Sequence, residues 1–180
     1  DGGHTHPVNP VYTDFDTYAA DGGYELLRDC LAEKRSADDL IELMSESGLR
    51  GLGGAGFPAG QKWKIVRGYT APRLMAVNAD EGEPGCFKDR LLLDHDPHAV
   101  FEGMAIAGEL VGATVGIIYL RYEYPETMEV LEKSLREVRE KNLFPGFSLY
   151  VRRGAGAYIC GEETSLLNSL EGKRPIPRDK

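Results

Sequence analysis

The apolar residues in the first quarter of the chain recur at the three- and four-residue spacing that is typical of amphipathic helices. Residues 21–34 carry one such face and residues 36–46 carry a second. Asp21 and Ser36 stand before these faces, where a short polar side chain caps the first turn of a helix. The pattern therefore predicts two capped helices, whose apolar positions are Leu26, Leu27, Cys30, Leu31, Leu40, Ile41, Leu43 and Met44.

Beyond residue 70, short runs rich in β-branched and aromatic residues alternate with longer amphipathic segments. Such alternation is typical of a parallel sheet whose strands are joined by right-handed helical crossovers. The predicted fold class is therefore α/β, a Rossmann-like parallel sheet with flanking helices and modified nucleotide-binding loops. The predicted strands are 73–78, 113–122 and 147–152, and the predicted helices are 87–96, 97–112, 124–142 and 162–170, with Asp96 capping the second of these.

Residues 1–20 show no period and are predicted to form an extended lead-in, whereas residues 21–180 are predicted to form one domain. The chain has 180 residues and a net charge of −8, which argues against nucleic acid as a main partner because phosphate backbones require a basic face. No apolar run reaches the length of a membrane span, so direct membrane insertion is not expected. The widely spaced Cys30, Cys86 and Cys160 predict free thiols in a reducing, cytoplasmic compartment and no metal site.

The densest glycine cluster lies in residues 47–63, SGLRGLGGAGFPAGQKW. Glycines let successive backbone N–H groups form an anion-binding nest, and Lys62 adds a positive charge for a phosphate. Gly51, Gly53 and Gly56 also spell the dinucleotide fingerprint G-x-G-x-x-G, but a helical pattern precedes them where that fingerprint requires a strand. The segment is predicted to cradle a phosphorylated cofactor without forming an ordinary Rossmann turn; a flexible linker is the alternative.

An amide and three carboxylates end the first predicted strand, in the sequence NADEGEPG. Asn78, Asp80, Glu81 and Glu83 stand at the carboxyl end of that strand, which is the edge where ligands bind in open α/β sheets. Carboxylates there accept hydrogen bonds from ribose hydroxyls or from flavin and nicotinamide N–H groups. A solvated acidic turn explains the same residues equally well.

A second glycine-rich turn, RGAGAYICG at residues 153–161, joins the third predicted strand to the last predicted helix. This strand, turn and helix are the context in which nucleotides bind. Glu162 and Glu163 suit the positive end of that helix but would repel a phosphate, so we expect them to face a neutral or hydroxyl-rich group. Tyr158 is suited to stack on a ring, and Cys160 lacks the neighbouring base that a nucleophile requires.

Three blocks of sequence together resemble one protein family in content and in order: GLRGLGGAGFPAGQKW, VNADEGEPG with FKDR one residue later, and RRGAGAYICGEETSLLNSLEGKRPIPR. They are similar to the flavin-binding, 51-kDa-type subunit of NADH:quinone oxidoreductase. The same module resembles the diaphorase subunits of NAD-reducing hydrogenases and of NAD-dependent molybdenum formate dehydrogenases. The resemblance covers residues 18–180. Leu52, where many members have Arg, and Cys86, where Thr is common, depart from it and favour a soluble-dehydrogenase relative.

The resemblance implies that residues 21–180 form an FMN/NADH-binding domain, in which hydride passes between NAD(H) and FMN without a catalytic acid or base from the protein. Electrons would then pass to iron–sulfur centres of a larger complex such as formate dehydrogenase. No C-x-x-C spacing occurs here. The cluster is therefore expected in a missing C-terminal part, beyond a ubiquitin-like domain, or in partner subunits such as a 24-kDa-type thioredoxin-like subunit. An electron carrier of the sodium-pumping type and a non-redox nucleotide-binding scaffold subunit are the alternatives.

The resemblance also implies which residues contact the two cofactors. The FMN phosphate and ribityl chain or the NADH cleft would lie along Gly51, Gly53, Gly54 and Lys62, and the flavin would be held by Asn78, Asp80 and Glu81. The isoalloxazine ring would be lined by Tyr158, Gly161, Glu162 and Glu163. Adenine would stack on Phe57, and NADH would be held in part by Glu83, Phe87 and Lys180.

Overall fold

A computed structural model describes residues 12–52 and 54–178 of the chain. Three strands, eight α-helices and one 3₁₀ turn follow one another in this part of the chain. They are α1 (Phe15–Ala20), α2 (Glu25–Leu31), α3 (Ala37–Glu46), α4 (Ala59–Arg67), β1 (Arg73–Ala79), α5 (Lys88–His95), α6 (Pro97–Val111), β2 (Ala113–Leu120), α7 (Pro125–Glu140), β3 (Ser148–Arg153), the 3₁₀ turn (Tyr158–Gly161) and α8 (Glu163–Leu170).

The strands form one parallel sheet in the order β1-β2-β3, which confirms the predicted α/β fold class. Its register places Tyr119 of β2 between Asn78 of β1 and Arg152 of β3. Because side chains alternate along a strand, Ile118 and Leu120 face the main core while Tyr119 faces the 3₁₀ turn and α8. Helix α6 packs on β1 and β2, and α7 packs on β3.

The predicted helix starts at Ser36 and Asp96 are confirmed. The Ser36 hydroxyl accepts hydrogen bonds from the Asp38 and Asp39 amides, and the Asp96 carboxylate accepts one from the Ala99 amide. Each bond satisfies a backbone donor that has no partner within its helix. These two caps were readable from sequence because capping acts within three residues of the cap.

The chain departs from the predicted pattern before residue 32. The lead-in predicted for residues 1–20 is wrong for Phe15–Ala20, which form α1, and the helix predicted from residue 21 begins only at Glu25. Asp21 ends α1 instead of capping α2. Gly22 separates the two helices because its φ of +92° lies in the left-handed region that residues other than glycine rarely adopt.

Helix α4 follows the glycine cluster and was not predicted, since its first turn is part of the glycine-rich sequence. Gly60 is buried where α4 meets α3, and a Cβ atom there would lie 2.3 Å from Ser45 Oγ. This glycine therefore permits close helix packing. In the described part of the chain, no helix is both long enough and apolar enough to cross a membrane.

Candidate functional site

A cleft of about 720 Å³ lies at the carboxyl end of β1, between the loop that follows this strand (residues 80–87, the acidic loop) and the 3₁₀ turn. The carboxyl edge of a parallel sheet is where ligands bind in open α/β folds. Seven of the residues predicted from sequence line this cleft together: Asn78, Asp80, Glu81, Glu83, Tyr158, Gly161 and Glu162.

The cleft also contains six lining residues that the sequence prediction did not include: Leu52, Gly82, Cys86, Lys88, Asp89 and Ile159. All of them stand within or directly beside the predicted motifs, so their position in sequence was an available signal. Ile159 was not expected to line a cleft, because an isolated isoleucine is usually a core residue.

Asn78 joins the two sides of the cleft through its side-chain amide. Its Nδ2 atom donates to the carbonyl of Gly161 at 2.8 Å, and its Oδ1 atom accepts from the Asp80 amide at 3.1 Å. The first bond ties the end of β1 to the 3₁₀ turn, although these residues are 83 positions apart. Asn78 thus fixes the spacing between two loops that both line the cleft.

Asp80 lines the cleft and has a buried carboxylate oxygen without a partner among the described residues. The residue is 8% exposed, and its Oδ2 atom has no hydrogen-bond partner among the described residues. Burial raises the pKa of this carboxyl to about 6, the nearby Glu123 carboxylate contributes to the rise, and Arg121 opposes it. Since an unsatisfied buried acceptor is costly, this oxygen is suited to accept a hydrogen bond from a ligand.

The buried carboxylate of Glu81 organises the loop that follows β1. Its side chain is 2% exposed. Burial opposes its ionisation, but hydrogen bonds to the carboxylate outweigh burial and lower its pKa. The donors are the Asp89 amide at 2.9 Å, the Arg90 amide at 3.2 Å, Cys86 Sγ at 3.2 Å and the Tyr124 hydroxyl at 3.1 Å.

Two of these donors are amides in the first turn of α5, so Glu81 caps that helix. A carboxylate has about four acceptor positions, and the chain itself fills them. If Glu81 contacts a flavin, as predicted, it does so through its backbone atoms and not through its carboxylate. Its carbonyl accepts from the Arg121 guanidinium at 2.5 Å, which fixes that backbone in place.

Glu83 and Tyr158 meet where the two sides of the cleft approach each other. The Tyr158 hydroxyl donates to a Glu83 carboxylate oxygen. This bond to Glu83 raises the pKa of the Tyr158 hydroxyl, and the negative charge of Glu83 adds to the effect. The Tyr158 ring itself is 64% exposed, so one aromatic face is open to a planar ligand.

Glu162 is the N-cap of α8. One of its carboxylate oxygens accepts from the Thr164 and Ser165 amides at 3.0 and 2.9 Å and from the Thr164 hydroxyl at 2.6 Å. Hydrogen bonds from Thr164 and Ser165 lower the pKa of this carboxyl to about 2. Glu163, the first residue of α8, is exposed and is not among the residues that line the cleft.

The other predicted residues that the structure describes do not line the cleft. The loop between α3 and α4, the glycine loop, contains Gly51, Gly54 and Phe57. A 3.0 Å hydrogen bond from the Gly51 amide to the Phe57 carbonyl joins the two sides of this loop. Leu52 in this loop is 99% exposed and brings the loop to the cleft. Two predicted residues, Gly53 and Lys180, lie outside the described residues.

Lys62 and Phe87 also lie outside the cleft lining. Lys62 is on α4 and lines a separate groove of about 510 Å³, together with Trp63 and residues of β1 and α6. Phe87 stands directly before α5 and is 64% exposed. The predicted cofactor contacts of these two residues stay predictions.

The cysteines differ in accessibility. Cys30 and Cys160 are buried, whereas Cys86 is half-buried and its thiol donates to Glu81. All three are free thiols. Within residues 12–52 and 54–178, no cluster of three or more His, Cys, Asp or Glu side chains is arranged to hold a metal ion.

Residues 44–180 match the Nuo51 FMN-binding domain family. The chain is 45% identical, over 81% of its length, to the mitochondrial NADH dehydrogenase [ubiquinone] flavoprotein 1 of Dictyostelium discoideum, of which it covers 33%. It is 46% identical, over 86% of its length, to the NAD-reducing hydrogenase HoxS subunit alpha of Cupriavidus necator, of which it covers 27%. The chain thus spans about a third or less of either relative.

A solved structure is also similar to this chain. The crystal structure of an NAD⁺-reducing nickel–iron hydrogenase in the H₂-reduced state superposes on 81% of this chain with a TM-score of 0.75 and 43% identity, and 26% of that hydrogenase chain is covered. The chain belongs to the Nuo51 FMN-binding domain family.

Proposed function

We propose that this chain is the FMN- and NAD(H)-binding module of a flavoprotein NADH dehydrogenase, a diaphorase that exchanges hydride between the two cofactors. The observation that carries the proposal is that Asp80 lines the cleft and that its buried Oδ2 atom has no hydrogen-bond partner among the described residues. An unsatisfied buried acceptor costs about 1–3 kcal/mol, and a hydroxyl-bearing ligand removes this cost. The ribityl chain of FMN carries such hydroxyls.

The other residues of the cleft fit the same cofactor. The exposed ring of Tyr158 is suited to stack on a planar ring system, and Gly161 leaves the adjoining backbone accessible. The carboxylates of Asp80, Glu83 and Glu162 disfavour a phosphate inside the cleft. We therefore assign the phosphate to backbone N–H groups of the glycine loop, which reaches the cleft at Leu52.

In this proposal the chain binds and orients, and the cofactor supplies the hydride-accepting chemistry when it is bound. Asn78 holds the two walls at a fixed distance, Glu81 fixes the acidic loop, and Tyr158 orients the planar ring. No side chain is assigned a proton transfer. The carboxylates around the cleft would make the reduced, more negative flavin less stable and so lower its reduction potential.

The wider assembly is part of the same proposal. Because the relatives named above are a flavoprotein of NADH dehydrogenase and a hydrogenase subunit, we assign the electrons that leave the flavin to iron–sulfur subunits of a larger complex. These include a 24-kDa-type thioredoxin-like subunit. We place the complex in the cytoplasm and take residues 21–180 as the FMN/NADH-binding domain. Formate dehydrogenase is one example of such a complex, and the subunits that copurify would distinguish it from hydrogenase and quinone reductase.

The test begins with the full-length protein that contains this chain. After denaturation, chromatography should show about one FMN per chain, and the native protein should reduce a dye with NADH. Asp80→Ala should lower the FMN content, whereas the control Asp39→Ala, which removes an exposed carboxylate on α3, should not. FAD in place of FMN contradicts the proposal. A colourless protein that still binds NADH also contradicts it and favours the scaffold alternative.

A further inference from the structure

The hydroxyl of Tyr119 connects three separate parts of the segment that follows β3. It accepts from the Ala155 amide at 3.1 Å, lies 2.8 Å from Ser169 Oγ and donates to Cys160 Sγ at 3.3 Å. These partners stand before the 3₁₀ turn, within the turn and in α8. One oxygen atom of β2 thus anchors the whole segment.

The bonding capacity of this hydroxyl is fully used. A phenol has one proton to donate and two acceptor positions. Because Tyr119 donates to Cys160, Ser169 must be the donor in the bond that it shares with Tyr119. Burial and the bond to Cys160 raise the pKa of the Tyr119 hydroxyl, which keeps its proton in place.

The anchored segment is one wall of the cleft. It carries Tyr158, Gly161 and Glu162, which line the cleft. Asn78, the register partner of Tyr119 on β1, holds the same wall through the Gly161 carbonyl. Asn78 and Tyr119, which are neighbours on adjacent strands, therefore both hold this wall through hydrogen bonds.

The wall is partly exposed and partly buried. Tyr158 and Ile159 are 64% and 41% exposed, whereas Cys160, which follows them, is fully buried beside Tyr119. Gly154 lets the chain approach closely, since a Cβ atom there would lie 2.9 Å from Tyr119 Cε1. The buried contacts around Tyr119 thus help to fix the position of the exposed wall residues, together with the bonds from Asn78 and to Glu83.

We propose that Tyr119 is a positioning residue of the nucleotide cleft, whose hydroxyl holds the wall formed by residues 155–162 in its binding geometry. The ring of Tyr119 packs in the core and contributes to stability in the ordinary way. The hydroxyl has a separate role, because its three bonds go to the segment that carries Tyr158 and Glu162. That the cleft binds a nucleotide rests on the proposed function, whereas the anchoring of the wall by Tyr119 does not.

The test variant is Tyr119→Phe in the full-length protein, which keeps the ring and removes the oxygen. We expect the KM for NADH to rise about 3- to 10-fold with a smaller change in kcat, since a buried hydrogen bond contributes modestly to a geometry. Amide hydrogen exchange in residues 155–162 should become faster, and the visible circular dichroism of the bound flavin should change.

Three further variants separate positioning from general stability. Ser169→Ala removes one of the three bonds and should give a smaller effect, and the double variant with Tyr119→Phe should match Tyr119→Phe alone. Cys160→Ser keeps an acceptor for Tyr119 and should stay near wild type. Tyr150→Phe removes an exposed hydroxyl from the adjacent strand and should change nothing.

A lower melting temperature with unchanged KM and unchanged exchange in residues 155–162 would overturn the proposal, because Tyr119 would then be an ordinary core residue. If the wild-type protein contains no flavin, the proposed function fails, but the exchange measurement still decides. Faster exchange in residues 155–162 of flavin-free Tyr119→Phe supports the anchoring role, and unchanged exchange refutes it.

Discussion

The hydroxyl of Tyr158 donates a hydrogen bond to the carboxylate of Glu83, joining two loops that are 75 residues apart in sequence. Both residues line the cleft, and both are exposed. An exposed bond of this kind contributes little to the stability of the fold. Its effect is to orient the Tyr158 ring and the Glu83 carboxylate relative to each other before a ligand arrives.

Removal of this bond should therefore affect binding and leave stability unchanged. We expect Tyr158→Phe to raise the KM for NADH about 2- to 5-fold, while the unfolding free energy changes by less than about 0.5 kcal/mol. Steady-state kinetics and a chemical melt measure the two quantities. Glu83→Ala should be non-additive with Tyr158→Phe, because the two residues share one interaction; strict additivity in this cycle would contradict the orienting role.

Under the proposed function, Asp80 should make the affinity for FMN depend on pH. Its pKa of about 6 means that the carboxyl is largely protonated at pH 5 in the flavin-free protein. Since ligand hydroxyls donate to the ionised form, binding releases the proton, and affinity should rise up to about 10-fold between pH 5 and 7. Titration of flavin-free protein with FMN at several pH values measures this. Asp80→Asn serves as the control. The FMN phosphate titrates in both proteins, but residue 80 titrates only in the wild type, so the difference between the two pH profiles reports on Asp80.

The same shift affects stability in the opposite direction. Because the pKa of Asp80 is raised from 3.8 in the fold, its stabilising contribution is present below about 3.8 and is lost as the pH rises through 6. The melting temperature of flavin-free Asp80→Asn should therefore exceed that of wild type at pH 7 by more than at pH 4. An equal difference at both pH values would show that Asp80 is not the titrating group.

Glu81 should behave as a structural residue. Glu81→Gln weakens the acceptor for four donors, so we expect the unfolding free energy at pH 7 to fall by roughly 1–3 kcal/mol. Because the pKa of Glu81 is lowered below 4.5, its contribution is present above pH 4.5 and is lost as the pH falls through the lowered value. Chemical denaturation at pH 7 and pH 3 measures both effects. Glu83→Gln, an exposed carboxylate of the same loop, should leave stability unchanged; equal effects of the two variants would be contrary to the capping role.

Phe57 should contribute to NADH binding through its exposed ring. It is 46% exposed in the glycine loop, where a covering base would remove apolar surface from water. Stacking of a base on an aromatic side chain is worth about 1–3 kcal/mol, so Phe57→Ala should raise the KM for NADH about 5- to 100-fold with little change in kcat. Leu49→Ala, which is 55% exposed at the start of the same loop, is the control. Loss of FMN and of thermal stability at an unchanged KM would instead mean that Phe57 supports the loop.

The sequence by itself determined most of the elements and the place of the candidate site. The caps at Ser36 and Asp96, the strands and most helices follow from periodicity and from side-chain to backbone bonds that act within a few residues. The position of Asn78 at the end of a predicted strand, with Asp80 and Glu83 just after it, was enough to predict that they lie at the carboxyl edge of the sheet. Three features were missed: the short α1, the start of α2, and α4, whose glycines obscured the helical pattern.

Tertiary structure alone decided which of these side chains face the cleft. Glu81 and Glu83 are close in sequence and have the same chemistry, yet one caps α5 and the other reaches Tyr158. The role of Tyr119 was equally hidden, since an aromatic residue in a strand predicts only burial. These arrangements depend on contacts between residues tens of positions apart, and the packing of α5 and α8 around the sheet brings those residues together. Local periodicity carries no information about such contacts, so the sequence could predict the cleft but not its internal bonds.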